Sequence, residues 1–585
     1  MHSGQILESI LIADCGTVAT KMLLLERVET SYRFIAQAEV PTTIGPPWED
    51  VSVGVTYAIE EVEEITSRTL LAGGRLITPR DGLEGVDAFV VILSGTEPLH
   101  LVLAGLVKEM SLESARRAAT GTYTVVDGVI SREGSLRSPE EAWARAVRDL
   151  APDAVLLVGG VDGGASRPVM ELADAIALGT SLLPSAERPL LIYAGNVKLR
   201  SRITKLLGSL TEVEVVDNVR PAVGTEHLGP AHDLAEQIFL EKRLQKVSGI
   251  ETLFGWSNFP PLSTATAFGR VVEYLWHREA NVGRGVLGID LGAASTTVMA
   301  CFDGRLYSSV HGGRGIAYGP LAWVKEHGIA PLQRWLPEEM DEQRLLAFLH
   351  NRELYPATVP QEVSELWIEQ AVVREMLRSA LRIARPAWDI DADTLLYPGM
   401  MPYLDPILIS GGGIVHLPRP GQALLAVLDG LEPIGITTML LDVHRVAPAL
   451  GAVAGIKPLA AASALSPETL VSLGTVISPV GRAAAGDTIL SMKIQYDDGS
   501  ELDVEAHYGE LEVWPLLPGQ LATVELKPHR RFDVGLGRRG KGGTIQVQGG
   551  LLGLVVDARG RPLRLPVDAE KRRKILRRWI WDVGG

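Results

Sequence analysis

The sequence predicts an α/β protein of two lobes, with mixed sheets flanked by helices, followed by a small antiparallel β domain that ends in a helix. Three observations predict it. Short apolar runs alternate with helical patterns through most of the chain. One phrase, apolar–Asp–x–Gly–small–small–Thr, occurs twice, in LIADCGTVATKMLLL (11–25) and LGIDLGAASTTVMAC (287–301). After residue 466 the pattern changes to apolar–polar alternation.

The apolar runs ILIADCG, DAFVVILSG, DAVLLVGG, PLLIYAGN, GVLGIDLG and DPILISGGG each end in a Gly-rich turn, as strands buried on both faces do. Helical stretches such as SVGVTYAIEEVEEITSRTLL and SPEEAWARAVRDLA lie between them, the second opened by a Ser–x–x–Glu capping box. Strands alternating with helices give covered sheets. From 466 onward, TVISPVGRAAAGDTILSMKIQYDDGSELDVEAHYGELEVW alternates with turn signals such as DDGS, the mark of antiparallel strands. The expected units are 1–276, 277–465 and 466–585.

Bulk properties narrow the class. A chain of 585 residues exceeds one core, so two to four domains are expected. No apolar stretch reaches the length that spans a bilayer, and the N-terminus lacks the basic and apolar regions of a signal peptide. Two cysteines, Cys15 and Cys301, make no disulfide framework. A cytoplasmic protein is expected. The net charge of −15 argues against nucleic-acid binding. The tail KRRKILRRWIWDV is a basic amphipathic helix, expected to dock on the acidic body.

The repeated phrase carries the functional reading. Aligning Asp14 with Asp290 puts Gly16 on Gly292, Ala19 on Ser295 and Thr20 on Thr296. Each copy reads as a tight hairpin without bulky side chains in its turn. Consecutive N–H groups and hydroxyls there can cradle phosphate oxygens, and an Asp at the strand end can hold Mg²⁺ through water. Two such hairpins facing each other would clamp one polyphosphate. A single copy would be unremarkable; two in register point to function. The strand–GGG turn, Gly411, Gly412 and Gly413, suits close approach to adenosine. The helices STATAFGRVVEYL (263–275) and HRVAPALGAVAGI (444–456) are rich in small residues and read either as a hinge crossing or as an ordinary buried pair. In GGVDGG (159–164), Asp162 either positions water or magnesium or caps a helix.

Hairpin, connector helix, second hairpin, strand–GGG and second connector helix are, in order, the parts of the actin / sugar-kinase / Hsp70 superfamily. Within it the chain resembles the MutL (GlmL) family associated with glutamate mutase. The resemblance runs over about residues 9–460 and is carried by DCGTVATK (14–21), PTTIGPPWEDVSVGVTYAI (41–59), LVLAGLVKEMSLESARRAATGTY (101–123), AVLLVGGVDGG (154–164), IYAGN (192–196), DNVRP (217–221) and DLGAAST (290–296). It implies two actin-like (RNase H-like) lobes that bind ATP and Mg²⁺, with a helper role beside a cobalamin-dependent mutase. Asp14, Gly16, Thr17, Thr20 and Lys21 match the family's first phosphate loop. Lys21 either counters phosphate charge or is solvated.

The second loop departs from the family's Asp–x–Gly–Gly–Ala–Thr–Thr–Asp: Ala293 replaces its second glycine and Thr297 its final aspartate. Gly292, Ala293, Ser295 and Thr296 complete the expected nucleotide-contact set. Asp14 and Asp290 are the expected metal ligands, and Asp14 and Asp162 the candidate catalytic groups. The lost carboxylate makes at most a slow ATPase the expectation. Two rivals stay open: a non-hydrolysing nucleotide-binding scaffold, and a small-molecule kinase with Asp162 as base. Self-association into a homo-oligomer is left open.

Overall fold

The computed structural model describes residues 7–133, 139–257, 259–279, 283–388, 390 and 397–584. The first lobe opens with strands β1 (Ser9–Cys15), β2 (Ala19–Val28) and β3 (Ser31–Pro41), joined antiparallel. All seven residues of β1 are buried. Successive side chains point to opposite faces of a strand, so Ile10 and Ile12 enter one core while Leu11, Ala13 and Cys15 enter another. Helix α1 (Val51–Thr66) covers the second face with Val51, Val55, Ala58, Ile59 and Val62, the three-and-four spacing of one helical stripe. Asp50 caps it by accepting from the Ser52 N–H.

Strand β4 (Ala88–Leu93) runs parallel to β1. Between β4 and the last strand of this lobe the chain inserts a second sheet: β5 (Leu99–Gly105), β6 (Thr124–Ser131), β7 (Ala154–Leu157), β8 (Leu190–Tyr193) and β9 (Val213–Val215), all parallel. It then returns as β10 (Leu262–Ser263), parallel to β4, and enters helix α2 (Thr264–Glu279).

The second lobe repeats the plan. Strands β11 (Gly285–Leu291), β12 (Ser295–Phe302) and β13 (Arg305–Gly312) form the antiparallel set. After the long helix α3 (Val363–Ala384), β14 (Leu404–Ser410) runs parallel to β11. Helix α4 (Pro420–Leu431), strand β15 (Gly435–Asp442) and helix α5 (Ala447–Ala454) follow. The first sheet reads β10-β4-β1-β2-β3, and the second contains β15-β14-β11-β12-β13 in the same sense. The two lobes therefore share one strand order, that of actin-like lobes.

Helices α2 and α5 follow the equivalent fifth strands and cross at Gly451. A Cβ on Gly451 would lie 1.8 Å from the Ala267 carbonyl oxygen, so the small residue permits the crossing. One apolar cluster runs through this contact from Ile10 and Ile12 to Phe268, Met299, Leu408 and Leu450, joining both lobes.

The C-terminal segment does two things. It extends the second lobe's sheet with β16 (Leu470–Ser478), antiparallel to β15. It then forms β17 (Thr488–Tyr496), β18 (Glu501–His507), β19 (Leu511–Trp514), β20 (Leu521–Pro528), β21 (Gly543–Gln548) and β22 (Leu554–Asp557). Strands β18-β17-β20-β21 make the antiparallel sheet, while β22 and β19 join β16. Helix α6 (Ala569–Asp582) buries Leu576 and Trp579 in the second lobe's core, and Arg573 reaches Glu339 at 3.0 Å. Among the described residues no helix is long and apolar enough to cross a membrane.

Candidate functional site

The β1–β2 and β11–β12 turns have the same backbone closure. Gly16 N–H donates to the Ala19 carbonyl at 2.9 Å, and Gly292 N–H donates to the Ser295 carbonyl at 2.9 Å. In each turn the next two N–H groups, those of Thr17 and Val18 and those of Ala293 and Ala294, have no acceptor among the described residues. Ala293 stays outside the left-handed region, so alanine fits where the family pattern carries glycine. Both turns face one cavity of about 420 Å³ between the lobes. Free N–H groups converging from two sides suit an oxyanion.

The third wall is the Gly411–Gly413 turn after β14. Gly411 has φ +89°, and a Cβ there would lie 2.4 Å from the Leu291 N. Glycine is needed here first for packing on β11, and the flat backbone left over faces the cavity. Opposite stand Arg352 and the loop from Pro356 to Val359.

The charged groups come from both lobes. Lys21 Nζ lies 2.6 Å from Asp14 Oδ2 and donates to the Arg445 carbonyl at 3.3 Å. Arg445 pairs with Glu39, one contact being 3.0 Å. Burial pushes the Glu39 carboxyl up, but Arg445, with Lys21 and His416 adding, holds it below its ordinary value. Asp290 has the reverse balance. Burial, with Asp14 and Asp442 adding, pushes its carboxyl up to about 6, although Lys21 and Arg445 pull the other way. Asp442 lies underneath, accepting from Ser410 and from the Val446 and Ala447 N–H groups at the start of α5. Burial raises the Tyr123 phenol, with Asp290 and Asp14 adding to the effect.

The structure brings most of the sequence-derived set to this cavity: Asp14, Gly16, Thr17, Lys21, Asp290, Gly292, Ala293, Ser295 and Gly411–Gly413 all line it. Thr20 and Thr296 do not. Thr20 is fully buried behind its turn, and Thr296 Oγ1 donates to the Arg314 carbonyl at 2.5 Å. In a strand alternate residues face opposite ways; the Thr296 hydroxyl thus braces the loop at Arg314, while the Thr20 hydroxyl is buried without a hydrogen-bond partner among the described residues.

Asp162 is not in the cleft. It sits at the end of β7 on the inserted sheet, where its Oδ1 accepts from the Val197 N–H and the Asn218 amide, both at 3.0 Å. Glu39, Arg445, His416, Arg352, Tyr123 and Thr264 line the cavity without having been singled out in the sequence. The one usable signal was positional: Arg445 lies between a buried strand and a small-residue helix.

A family model described as MutL protein matches residues 10–468. The chain belongs to the MutL protein family. Protein MutL from Clostridium tetanomorphum is 24% identical over 452 residues, covering 72% of this chain and 89% of that protein. Among solved structures, a nucleotide-free acetone carboxylase is similar at 12% identity and TM-score 0.34, over 86% of this chain and 82% of its own. A xylulose kinase from Bifidobacterium adolescentis is similar at 12% identity and TM-score 0.28, over 80% and 96%. The family match ends ten residues after the second connector's neighbouring helix, Pro458–Ala464, begins.

Proposed function

We propose that the cleft of this MutL-family protein binds ATP, and that bound nucleotide sets how firmly the two lobes close. The observation that carries this reading is the pair of equivalent turns, one per lobe, presenting unpaired N–H groups to a shared cavity. A ligand shifts a two-state equilibrium only by its differential affinity. A polyphosphate touching both turns has that property, because the full set of N–H groups is available to it only when the lobes are close.

The carboxylates of Asp14 and Asp290 are hard oxygen donors of the kind that hold Mg²⁺, usually with waters retained. Bound there, the ion would supply positive charge to the phosphates. Lys21 and Arg445 now neutralise Asp14 and Glu39. An incoming phosphate competes for both cations, which exchanges the inter-lobe contact of Glu39 with Arg445 for contacts to ligand. Hydrolysis is expected to be slow, since Thr297 leaves no second carboxylate paired with Asp290 on its own hairpin. The kinase alternative loses its named base, because Asp162 lies on another sheet.

The cellular role we propose is that of a nucleotide-switched accessory factor, a chaperone or reactivator, for a cobalamin-dependent mutase. The family membership and the sequence resemblance support it. Calorimetric titration with ATP, with and without Mg²⁺, tests the binding. Saturable, Mg-dependent binding that weakens at least tenfold in Asp14→Ala is expected; no heat at millimolar ATP would overturn the reading. Recovery of activity by an inactivated mutase from the same host, measured with and without this protein and ATP, tests the client. Equal recovery in all arms would remove that assignment.

A further inference from the structure

The GGVDGG turn serves the inserted sheet, and there it has a setting of its own. That sheet runs β6-β5-β7-β8-β9 with every strand parallel. The chain leaves β5 toward β6 on one side, then crosses back to β7 on the other. The helix after β5 (Glu113–Ala119) packs on one face, and the helices after β6 (Pro139–Leu150) and β7 (Arg167–Ser181) pack on the other. Such a reversal opens a crevice at the carboxyl ends of the two strands, the place where open parallel sheets receive ligands.

A cavity of about 160 Å³ lies at this point. Leu106, Val107 and Met110, following β5, form one wall, and the backbone of Gly159–Val161, following β7, forms the other. Gly159 and Gly160 have φ of +126° and +72°, conformations that side chains avoid. The N–H groups of Gly159, Gly160 and Val161 have no acceptor among the described residues. The Arg220 guanidinium stands at the rim, held by Ser114, the Val223 carbonyl and Glu226.

The surrounding loops are fixed. Asp162 joins the ends of β7, β8 and β9 through the Val197 N–H and Asn218, and Asn218 also donates to the Gly160 carbonyl at 2.9 Å. Asn196, fully buried, accepts from the Gly163 N–H at 3.0 Å. Preorganised walls of this kind lower the cost of binding.

We propose that this crevice is a second ligand site, separate from the cleft between the lobes, and that it takes a small organic anion: a carboxylate or phosphoester on a short apolar body. The apolar wall receives the body, while the free N–H groups and Arg220 receive the anionic head. The crevice's volume of about 160 Å³ is close to that of the ~150 Å³ cavity that accepts a benzene ring, which suits a ligand of one ring or less. The proposal does not depend on ATP binding in the cleft.

Phenyl phosphate and benzoate are suitable probes, with benzyl alcohol as the neutral control, titrated into the full chain by ligand-observed NMR. At least one anion is expected to bind with a Kd in the millimolar range or below, about what an efficient ligand of this size reaches, and at least tenfold tighter than the alcohol. Saturating MgATP should leave that binding unchanged. Val107→Trp should weaken it at least tenfold; Val107 is 38% exposed, so the larger ring has room without disturbing the core, and Met110→Trp gives an independent second block. Which anion binds distinguishes a phosphate from a carboxylate head. Failure of both anions to bind, equal binding of the alcohol, displacement by MgATP, or indifference to both tryptophan variants would overturn the proposal.

Discussion

Asp290→Asn tests the reading of the cleft through stability as well as through binding. Burial pushes the Asp290 carboxyl from its ordinary 3.8 up to about 6. The folded chain therefore holds this proton at a pH where the unfolded chain has released it. The associated stability is fully present below about pH 4 and is lost as pH rises to about 6. A shift of about two units at ~1.36 kcal/mol per unit gives about 3 kcal/mol. Asp290 lines the cavity and keeps some solvent contact, so this is the upper figure. Asparagine keeps the shape and removes the charge. At pH 7.5 and without nucleotide, the variant should be more stable than the parent by up to about 3 kcal/mol. If the second lobe melts as its own unit, each kcal/mol moves Tm by roughly 2–4 °C. Scanning calorimetry from pH 4.5 to 8 reads the difference, which should shrink toward the acid end. The same variant should bind ATP with less dependence on Mg²⁺. A gain in stability coupled to a loss of ligand affinity is what a residue kept for function shows. A variant no more stable at pH 7.5, or equally stabilised at pH 4.5, would refute the reasoning.

Two further predictions concern how the parts are held. Arg559 is fully buried between Asp557 and Asp429, at 2.8 and 2.7 Å; Arg374 holds the other oxygen of Asp429 at 2.7 Å, and Arg561 shares Asp557 Oδ2 with Arg559, at 2.5 Å. Arg559→Met should cost about 3–5 kcal/mol, as breaking a buried ion pair does. Asp557 is held well below its ordinary range: burial works against ionisation, but Arg559 and Arg561 outweigh it. The loss should therefore be full at neutral pH and fade only in strong acid; a urea-unfolding difference under 1 kcal/mol at pH 7 would contradict the network. Gly451→Val places a branched side chain against the Ala267 carbonyl and should cost at least the ~1–3 kcal/mol of overpacking, read as a lower Tm. An unchanged Tm would mean that α2 and α5 are not tightly apposed.

The sequence made the two hairpins legible because a turn that must carry free N–H groups cannot carry bulk. Gly16 and Ala19 in the first turn, and the run Gly292–Ser295 in the second, are the imprint of that need. The crossing of α2 and α5 was legible for the same reason, at Gly451. Asp162 misled because a strand-end glycine turn looks alike on any parallel sheet; only the topology shows that β7 belongs to an insertion. Glu39 carried no local signal and Arg445 only its position between a buried strand and a small-residue helix, since each is a lone charge whose partner is supplied by the other lobe. The C-terminal segment read as a separate antiparallel domain because alternation is local. That β16, β19 and β22 complete the second lobe's sheet depends on the open edge of β15, which no pattern within residues 466–585 encodes.

The difference between the two turns has a specific physical content. In the first hairpin the residue paired across the strands from Asp14 is Lys21; in the second the residue paired with Asp290 is Thr297. Directly paired side chains have Cβ atoms about 4.5–5.5 Å apart. Lys21 therefore neutralises Asp14 at contact distance, whereas Asp290 has a neutral neighbour and remains dominated by burial. An aspartate at 297, as in the family pattern, would set two carboxylates side by side and give a metal ion two ligands from one hairpin. Thr297 removes that option but alters none of the N–H groups at Thr17, Val18, Ala293 and Ala294. On the reading proposed above, phosphate capture would rest on the backbone of the turns and metal binding on the residues flanking them, so Thr297 bears on the second and leaves the first intact.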